Sequence, residues 1–177
     1  MKTLIIKYSY TGNNALLADH IAEKLDADIF NLIETRTRTN KNIVLDILFG
    51  WKPSLRAIPE NVHKYELVVF FSPVWMFHLP SPLRTCMSSI KKYIGKYAFI
   101  SLSGGALGPN TKISRELKKR MGNNLALCLD LNTIHYCSKE QGSKLSNTSN
   151  YLLEDHPEDL AKLKNLVTSA LRGINTC

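Results

Sequence analysis

The sequence of 177 residues lacks the features of a secreted, membrane-spanning or metal-stapled chain. Its first apolar run, Leu4 to Ile6, stops at Lys7 and is too short for a signal peptide, and no run of 18 uncharged apolar residues follows it. Its four cysteines form no C-x-x-C pair and have no histidine cluster nearby, which argues against a zinc site and favours reduced thiols. We therefore expect a soluble, cytoplasmic protein with no disulfide framework and no bound metal.

Acidic residues are also few, because 15 Asp and Glu stand against 23 Lys and Arg, for a net charge of +8. The excess falls mainly in two stretches. Residues 36–64 carry six basic and two acidic side chains, and residues 96–120 carry six and one. Such charge favours an anionic partner, namely a phosphate ligand, a nucleic acid, an acidic protein or a membrane surface. The alternative is that these charges are only solvated helix faces.

No internal repeat or linker divides the chain, and its length suits a single domain over 1–177. Short apolar runs alternate with apolar residues at helical spacing. The runs that predict strands are Leu4–Tyr8, Ile29–Ile33, Leu67–Phe71, Ala98–Leu102 and Leu125–Leu131. Strands that are apolar on both faces need helices on both sides, so this order predicts a doubly wound α/β fold with a parallel sheet.

Two segments are longer than a minimal unit of this kind needs. Residues 34–64 include an apolar stretch at 43–49, and residues 132–156 form a polar stretch before a final helix that Pro157 opens. Loops of this length are usually functional or mobile. We interpret 34–64 as an insertion or lid. Trp51 either contributes to that lid or is a packed surface residue. The apolar residues of 43–49 could also serve a homodimer.

The loop after the first strand, Ser9 to Asn14, carries polar groups to the start of a helix. In a parallel sheet the carboxyl ends of all strands lie at one edge, and ligands bind there. This loop offers two hydroxyls, a glycine and two side-chain amides beside a helix N-terminus. Such a terminus attracts phosphate through its N–H groups and its positive dipole end. The alternative interpretation is an ordinary capped turn.

Two further loops leave strand ends at the same edge. The loop after the third strand places Trp75 and Phe77 where they could stack on a flat ring, although either could belong to the core. The loop after the fourth strand begins Ser103, Gly104, Gly105, which allows a close backbone approach to a heteroaromatic edge or simply a flexible turn. Together the three loops describe a site for a planar mononucleotide.

These loops resemble those of the flavodoxin-like family of FMN proteins. Tyr8 to Asn14 is similar to the family's S/T-x-T-G-N-T phosphate loop, and Ser72 to Trp75 with Leu79 to Arg84 resembles its G/S-P-V-W…P-P-x-R segment. The order of elements matches from Lys2 to Leu131. The resemblance implies a five-stranded parallel sheet of order 2-1-3-4-5 with helices on both faces. It also implies FMN at the edge of strands one, three and four.

The resemblance assigns the FMN phosphate to the first loop, the isoalloxazine ring to the second and its pyrimidine edge to the third. The residues so implied are Ser9, Tyr10 (by its backbone), Thr11, Gly12, Asn13 and Asn14; Pro73, Val74, Trp75, Met76 and Phe77; and Ser103, Gly104 and Gly105. Asn14 replaces the usual final threonine, and Phe77 stands where many members have glycine. We name no catalytic side chain, because the flavin carries the chemistry. Tyr10 and His78 could donate to a substrate but are more often rim residues.

The resemblance implies an FMN-binding redox protein that mediates electron transfer with a redox partner protein. The alternative is an NAD(P)H-dependent FMN reductase of quinones or other small acceptors. Electron-shuttling members are typically acidic, so the +8 charge favours the reductase, or a carrier with an acidic partner. A nucleic-acid-binding module is motivated by charge alone and lacks the usual motifs, so we expect no nucleic-acid partner. A phosphatase would need a Cys or Asp nucleophile in the first loop, and none stands there.

Overall fold

The computed structural model describes residues 1–103, 112–132 and 152–174, with the side chains of 40, 41, 47 and 48 left aside. Within these residues a five-stranded parallel sheet has the order β2-β1-β3-β4-β5. The strands are β1 (Thr3–Lys7), β2 (Asp28–Asn31), β3 (Leu67–Phe71), β4 (Lys96–Ser103) and β5 (Leu125–Asn132). The helices are α1 (Asn13–Leu25), α2 (Asn40–Phe49), α3 (Ser81–Ile90), α4 (Ile113–Met121) and α5 (Pro157–Gly173).

The central strands are buried on both faces, as the sequence predicted. Ile5 of β1 pairs with Val69 of β3 in one core, which contains residues of α1 and α5. The next pair, Ile6 and Phe70, lies in a second core with residues of α3 and α4. All four side chains are fully buried. Each contributes about 1.5–3 kcal/mol by leaving water. The predicted doubly wound fold with strand order 2-1-3-4-5 is confirmed.

Prolines and glycines set several helix boundaries. Pro157 occupies the first turn of α5, where its missing N–H removes no helical hydrogen bond. Pro82 stands in the first turn of α3 in the same way. Gly122 follows α4 with a φ of 93°, a conformation that favours glycine, and its N–H closes the last turn on the Lys118 carbonyl. The start of α5 at Pro157 agrees with the sequence prediction.

The second strand is shorter than predicted. We expected it to run to Ile33, but β2 ends at Asn31. Leu32 lies just beyond β2, and its N–H still donates to the Lys7 carbonyl of β1 at 2.8 Å. Ile33 is exposed, so its apolar side chain made the run look longer than the strand.

The segment 34–64 contains a helix that lies between two bridging residues. Glu34 and Leu55 form an antiparallel bridge, and between them the chain builds α2, which packs near α3. Trp51 is 59% exposed and its ring centroid lies 5.9 Å from that of Phe49. Val44 and Phe49 are also exposed. The homodimer through 43–49 and the single domain over 1–177 stay predictions, and most of the long 132–156 stretch lies outside the described residues.

The two described cysteines are free. Cys86 is fully buried against the sheet, and burial raises the pKa of its thiol to about 12. Cys128 is partly buried, and burial together with the Asp130 charge raises the pKa of its thiol to about 11. Cys86 therefore acts as a small core residue. No helix within the described ranges is long and apolar enough to cross a membrane.

Candidate functional site

The loops after β1 and β3 lie side by side at the carboxyl edge of the sheet. Lys7 at the end of β1 pairs with Phe71 at the end of β3, which in turn pairs with Ile100 of β4. The first and second predicted loops are therefore neighbours. Ser103, the buried last residue of β4, donates its hydroxyl to Asp130 at 3.1 Å. The glycines of the third loop, Gly104 and Gly105, lie outside the described residues.

The first loop ends at the N-terminus of α1 with no side-chain cap on the helix. Gly12 has a φ of 97°, and a Cβ added there would meet no atom within 4 Å, so glycine is favoured by backbone conformation and not by space. The Gly12 N–H donates to Ser9 Oγ at 3.0 Å and holds the turn closed. The first-turn amides of a helix have no acceptors within the helix, and the positive dipole end lies there. This arrangement suits a phosphate group.

The buried side chains of Asn13 and Asn14 hold the loop to the rest of the fold. Asn14 Nδ2 donates to the Leu102 carbonyl, and Asn14 Oδ1 accepts the Leu102 N–H, both at 2.9 Å. Asn13 Oδ1 accepts the Leu153 N–H at 2.8 Å. The sequence suggested that these amides could donate to a phosphate. Both amide atoms of Asn14 therefore serve the fold, as does Oδ1 of Asn13, and the backbone N–H groups of the two residues lie in the first turn of α1, where a phosphate would be held.

A tight and strained turn follows Val74. The N–H of Trp75 donates to the His78 carbonyl at 3.0 Å, and the N–H of His78 donates to the Trp75 carbonyl at 2.8 Å. Met76 and Phe77 between them have φ angles of 48° and 65°. Turns with two such residues normally use Asn-Gly. Each non-glycine residue in this conformation costs about 1–2 kcal/mol. The sequence analysis noted that Phe77 stands where many members of the resembled family have glycine. In the structure both Phe77 and Met76 adopt a conformation that favours glycine.

The rings of Tyr8, Tyr10 and Trp75 form an aromatic wall beside the first loop. The Trp75 ring makes edge contacts with Tyr8, at 5.8 Å between centroids and 79° between planes, and with Tyr10, at 6.1 Å and 88°. The Tyr10 residue is 45% exposed and Trp75 is partly buried. Perpendicular contacts of this kind are favourable and fix the orientation of the rings. The wall therefore presents aromatic surface to the solvent at the carboxyl edge of the sheet.

Behind the wall lies a buried cluster of charges. The side chain of Arg38 is 6% exposed, and its guanidinium donates to both carboxylate oxygens of Glu34. The distance from Arg38 Nε to Glu34 Oε1 is 2.6 Å, and Arg38 Nη1 also donates to Asp46 Oδ2 at 2.7 Å. Tyr8 Oη donates to Glu34 at 2.8 Å, and Ser81 Oγ donates to Asp46. Burial alone would lower the pKa of Arg38, but its hydrogen bonds to the two carboxylates outweigh burial and raise it. Burial, and then the bond to Glu34, raise the pKa of Tyr8.

The buried cluster connects the segment 34–64 to the aromatic wall. The guanidinium carbon of Arg38 lies 5.5 Å from the centroid of the Trp75 ring, a cation–π contact. Sequence reasoning missed this cluster because it counted Arg38 as one charge of a basic stretch. Glu34 and Arg38 are four residues apart but lie outside the helices, so their spacing did not mark them as partners. Asp46 comes from α2, and its contact with Arg38 depends on how that helix packs.

A cationic cleft of about 700 Å³ opens on the other side of the turn. Met76 and Phe77 form part of its lining, and its charged lining comes from the end of α3 and from α4: Lys91, Lys112, Arg115, Glu116, Lys119 and Arg120. The single carboxylate among these, Glu116, accepts from Arg120 Nε at 2.8 Å and from the Leu79 N–H at 3.2 Å. The basic stretch 96–120 is therefore concentrated beside the candidate site, which the sequence did not show.

Comparisons with known proteins agree on the fold. No protein-family model matches the chain, and no curated protein matches it in sequence. Among solved structures, a protein provisionally described as a flavoprotein, from Bacteroides eggerthii DSM 20697, is 19% identical with a TM-score of 0.66, over 74% of this chain and 88% of that one. A flavoprotein from Lactobacillus acidophilus NCFM, crystallised in complex with FMN, is 23% identical with a TM-score of 0.63, over 76% and 95%.

A longer match covers nearly the whole chain. A flavodoxin, WrbA-like protein from Agrobacterium tumefaciens is 12% identical with a TM-score of 0.52, over 99% of this chain and 98% of that one. At these identities the property that the proteins share is the architecture. The chain is a doubly wound α/β protein with the flavodoxin-like fold, as its resemblance to that family implied.

Proposed function

We propose that the chain binds FMN at the edge formed by the loops after β1, β3 and β4, and that it is a flavodoxin-like redox protein that transfers electrons. The observation that carries this proposal is that the N-terminus of α1, which has no side-chain cap, lies beside the aromatic wall. In that wall the ring centroids of Tyr10 and Trp75 are 6.1 Å apart. FMN needs both features, because it joins a phosphate to a flat ring. A structural neighbour with the same fold was crystallised with FMN, which supports the choice of cofactor.

The described residues of the first two loops suit this cofactor in chemical type. We propose that the hydroxyls of Ser9 and Thr11 and backbone groups from Tyr10 to Asn14 hold the phosphate. The segment Pro73 to Phe77 would flank the ring, and the loop that starts at Ser103 would approach its pyrimidine edge. When bound, FMN would supply the transfer of electrons. The protein's own residues bind the cofactor, orient the ring and exclude water from one side of it.

A second candidate function is an NAD(P)H-dependent FMN reductase that acts on quinones or other small acceptors. The observation that favours it is the cationic cleft, because Met76 and Phe77 belong both to its lining and to the segment proposed to flank the ring. A cleft lined with positive charge suits a phosphate-bearing electron donor. The carrier would instead meet a redox partner protein, and the +8 charge favours an acidic one.

The cofactor is tested by purifying the protein and measuring its absorption. We expect a yellow protein that releases FMN on denaturation, or a colourless one that turns yellow on adding FMN. Thr11→Val should weaken FMN binding about tenfold or more, because a hydrogen bond to a charged group contributes about 1.5–3 kcal/mol. Thr85→Val makes the same change on α3, where the hydroxyl bonds to the Ser81 carbonyl, and should leave FMN affinity unchanged. A protein that takes up no FMN refutes the proposal.

The two candidate functions separate on anaerobic mixing with NADH or NADPH. A reductase should bleach its flavin absorption quickly without any added protein. A carrier should stay yellow until a reducing partner protein is present.

A further inference from the structure

Among the described residues, the lining of the cleft beside the turn carries more positive than negative charge. Five basic side chains line it, from Lys91 just after α3 and Lys112 just before α4 to three residues of α4, together with one carboxylate. That carboxylate, Glu116, already accepts hydrogen bonds from Arg120 and from the backbone of Leu79. The positive potential also reaches the neighbouring Arg84, whose pKa is lowered by burial and then by the charge of Arg120. Like charges held together in this way favour an anion that neutralises them.

We propose that this cleft binds a small molecule that carries a pyrophosphate or an equivalent pair of phosphate groups. Its volume of about 700 Å³ lies within the range of small-molecule sites, roughly 300–1,000 Å³. Arg115 and Arg120 suit the oxygens of a phosphate, because a guanidinium presents a planar fork of N–H donors. Lys91, Lys112 and Lys119 add point charges around them. Five basic side chains and one carboxylate leave an excess of four positive charges in the lining. A single phosphate group carries at most about two negative charges, so a ligand with at least two phosphates fits best.

The shape of the cleft favours a small molecule over a protein partner. A stable protein interface buries about 800 Å² on each partner, whereas this site is a local cleft of about 700 Å³. Met76 and Phe77 add an apolar wall at one end, against which an organic ring attached to the phosphates can pack. Because these two residues also flank the proposed flavin ring, such a ligand would lie next to that ring. The role of this ligand as an electron donor rests on the proposed function, whereas its binding does not.

The test is calorimetric titration of the purified protein with inorganic pyrophosphate and with ADP, at low and at physiological salt. The test variant combines Lys91→Gln with Lys119→Gln, two exposed lysines in the cleft lining. The control variant combines Lys92→Gln with Lys118→Gln, their exposed sequence neighbours outside that lining. Both variants lose two charges from the same two elements, so the long-range field changes equally. We expect the test variant to bind ADP about tenfold more weakly, or worse, and the control to stay within about twofold of the unmodified protein.

Three results would overturn the proposal. The unmodified protein could bind neither probe, or the two variants could lose affinity equally, which would indicate diffuse surface charge. An acidic polypeptide such as polyglutamate could bind as tightly as ADP and displace it, which would indicate a protein-docking surface. Flavin content is recorded on the same samples. A colourless protein that binds ADP refutes the proposed function alone, and a yellow protein that binds neither probe refutes this inference alone.

Discussion

Arg38→Met should destabilise the protein strongly, because Arg38 neutralises two buried carboxylates. The side chains of Glu34 and Asp46 are 11% and 10% exposed, and that of Arg38 is 6% exposed. Removing one partner of such a cluster leaves uncompensated buried charge, which costs about 3–5 kcal/mol. Losing the contact with the Trp75 ring adds roughly 0.5–1 kcal/mol. We therefore expect the free energy of unfolding to fall by about 3.5–6 kcal/mol.

A triple variant tests whether charge compensation is the cause. Adding Glu34→Gln and Asp46→Asn to Arg38→Met removes all three charges together, so no unpaired charge stays buried. We expect it to recover at least half of the lost stability. Arg36→Met is the control, because Arg36 is an exposed arginine of the same stretch, and it should change stability by less than about 0.5 kcal/mol.

The assay is urea unfolding followed by tryptophan fluorescence. The chain has two tryptophans, and Trp75 lies under Arg38, so the folded spectrum should also change in the Arg38→Met variant. A loss below about 1 kcal/mol for the single variant would refute the reasoning. So would a triple variant that is no more stable than the single one.

Three further predictions concern single positions. Met76→Gly should raise the free energy of unfolding, measured in urea, by about 1 kcal/mol, because glycine tolerates the φ of 48° and the replaced side chain is 55% exposed. A net loss of stability would contradict the claim that this residue is strained. Asn14→Ala should lower the free energy of unfolding by about 2–4 kcal/mol, because the N–H and carbonyl of Leu102 lose their buried partner; an unchanged melting temperature would contradict this. The raised pKa of Cys86 means that the unfolded thiol ionises first as pH rises, so stability should fall between about pH 9 and pH 12. Cys86→Ala should flatten that fall, and an equally steep fall in the variant would count against the buried thiol.

The sheet could be predicted from the sequence because its central strands consist mostly of apolar residues, which indicates that they are buried on both faces. Leu67 to Phe71 is apolar at every position, which few structures other than a central strand accommodate, and β3 has these bounds. The edge strand was less well defined, since Ile33 is apolar and yet exposed after β2 ends. An exposed apolar residue beside a short strand gives no local indication of where pairing stops.

The candidate site was only partly predictable. The loops after β1 and β3 follow from strand order, and their residues were named from the sequence. The turn at Met76 and Phe77 was not recognised, because its usual sequence indicator, Asn-Gly, is absent. The buried charge cluster and the cationic cleft depend on side chains from separate elements, such as Arg38 with Asp46 and Lys91 with Lys119. Contacts of that kind follow from tertiary packing and leave no pattern along the chain.

The most direct test of the central claim is to titrate the flavin-free protein with FMN and, separately, with riboflavin, following tryptophan fluorescence. The two ligands share the ring and differ in the phosphate. If the N-terminus of α1 holds the phosphate and Trp75 flanks the ring, both should quench fluorescence, and FMN should bind about a hundredfold more tightly. Equal affinities would contradict a phosphate site at α1, and no binding of either ligand would contradict the account as a whole.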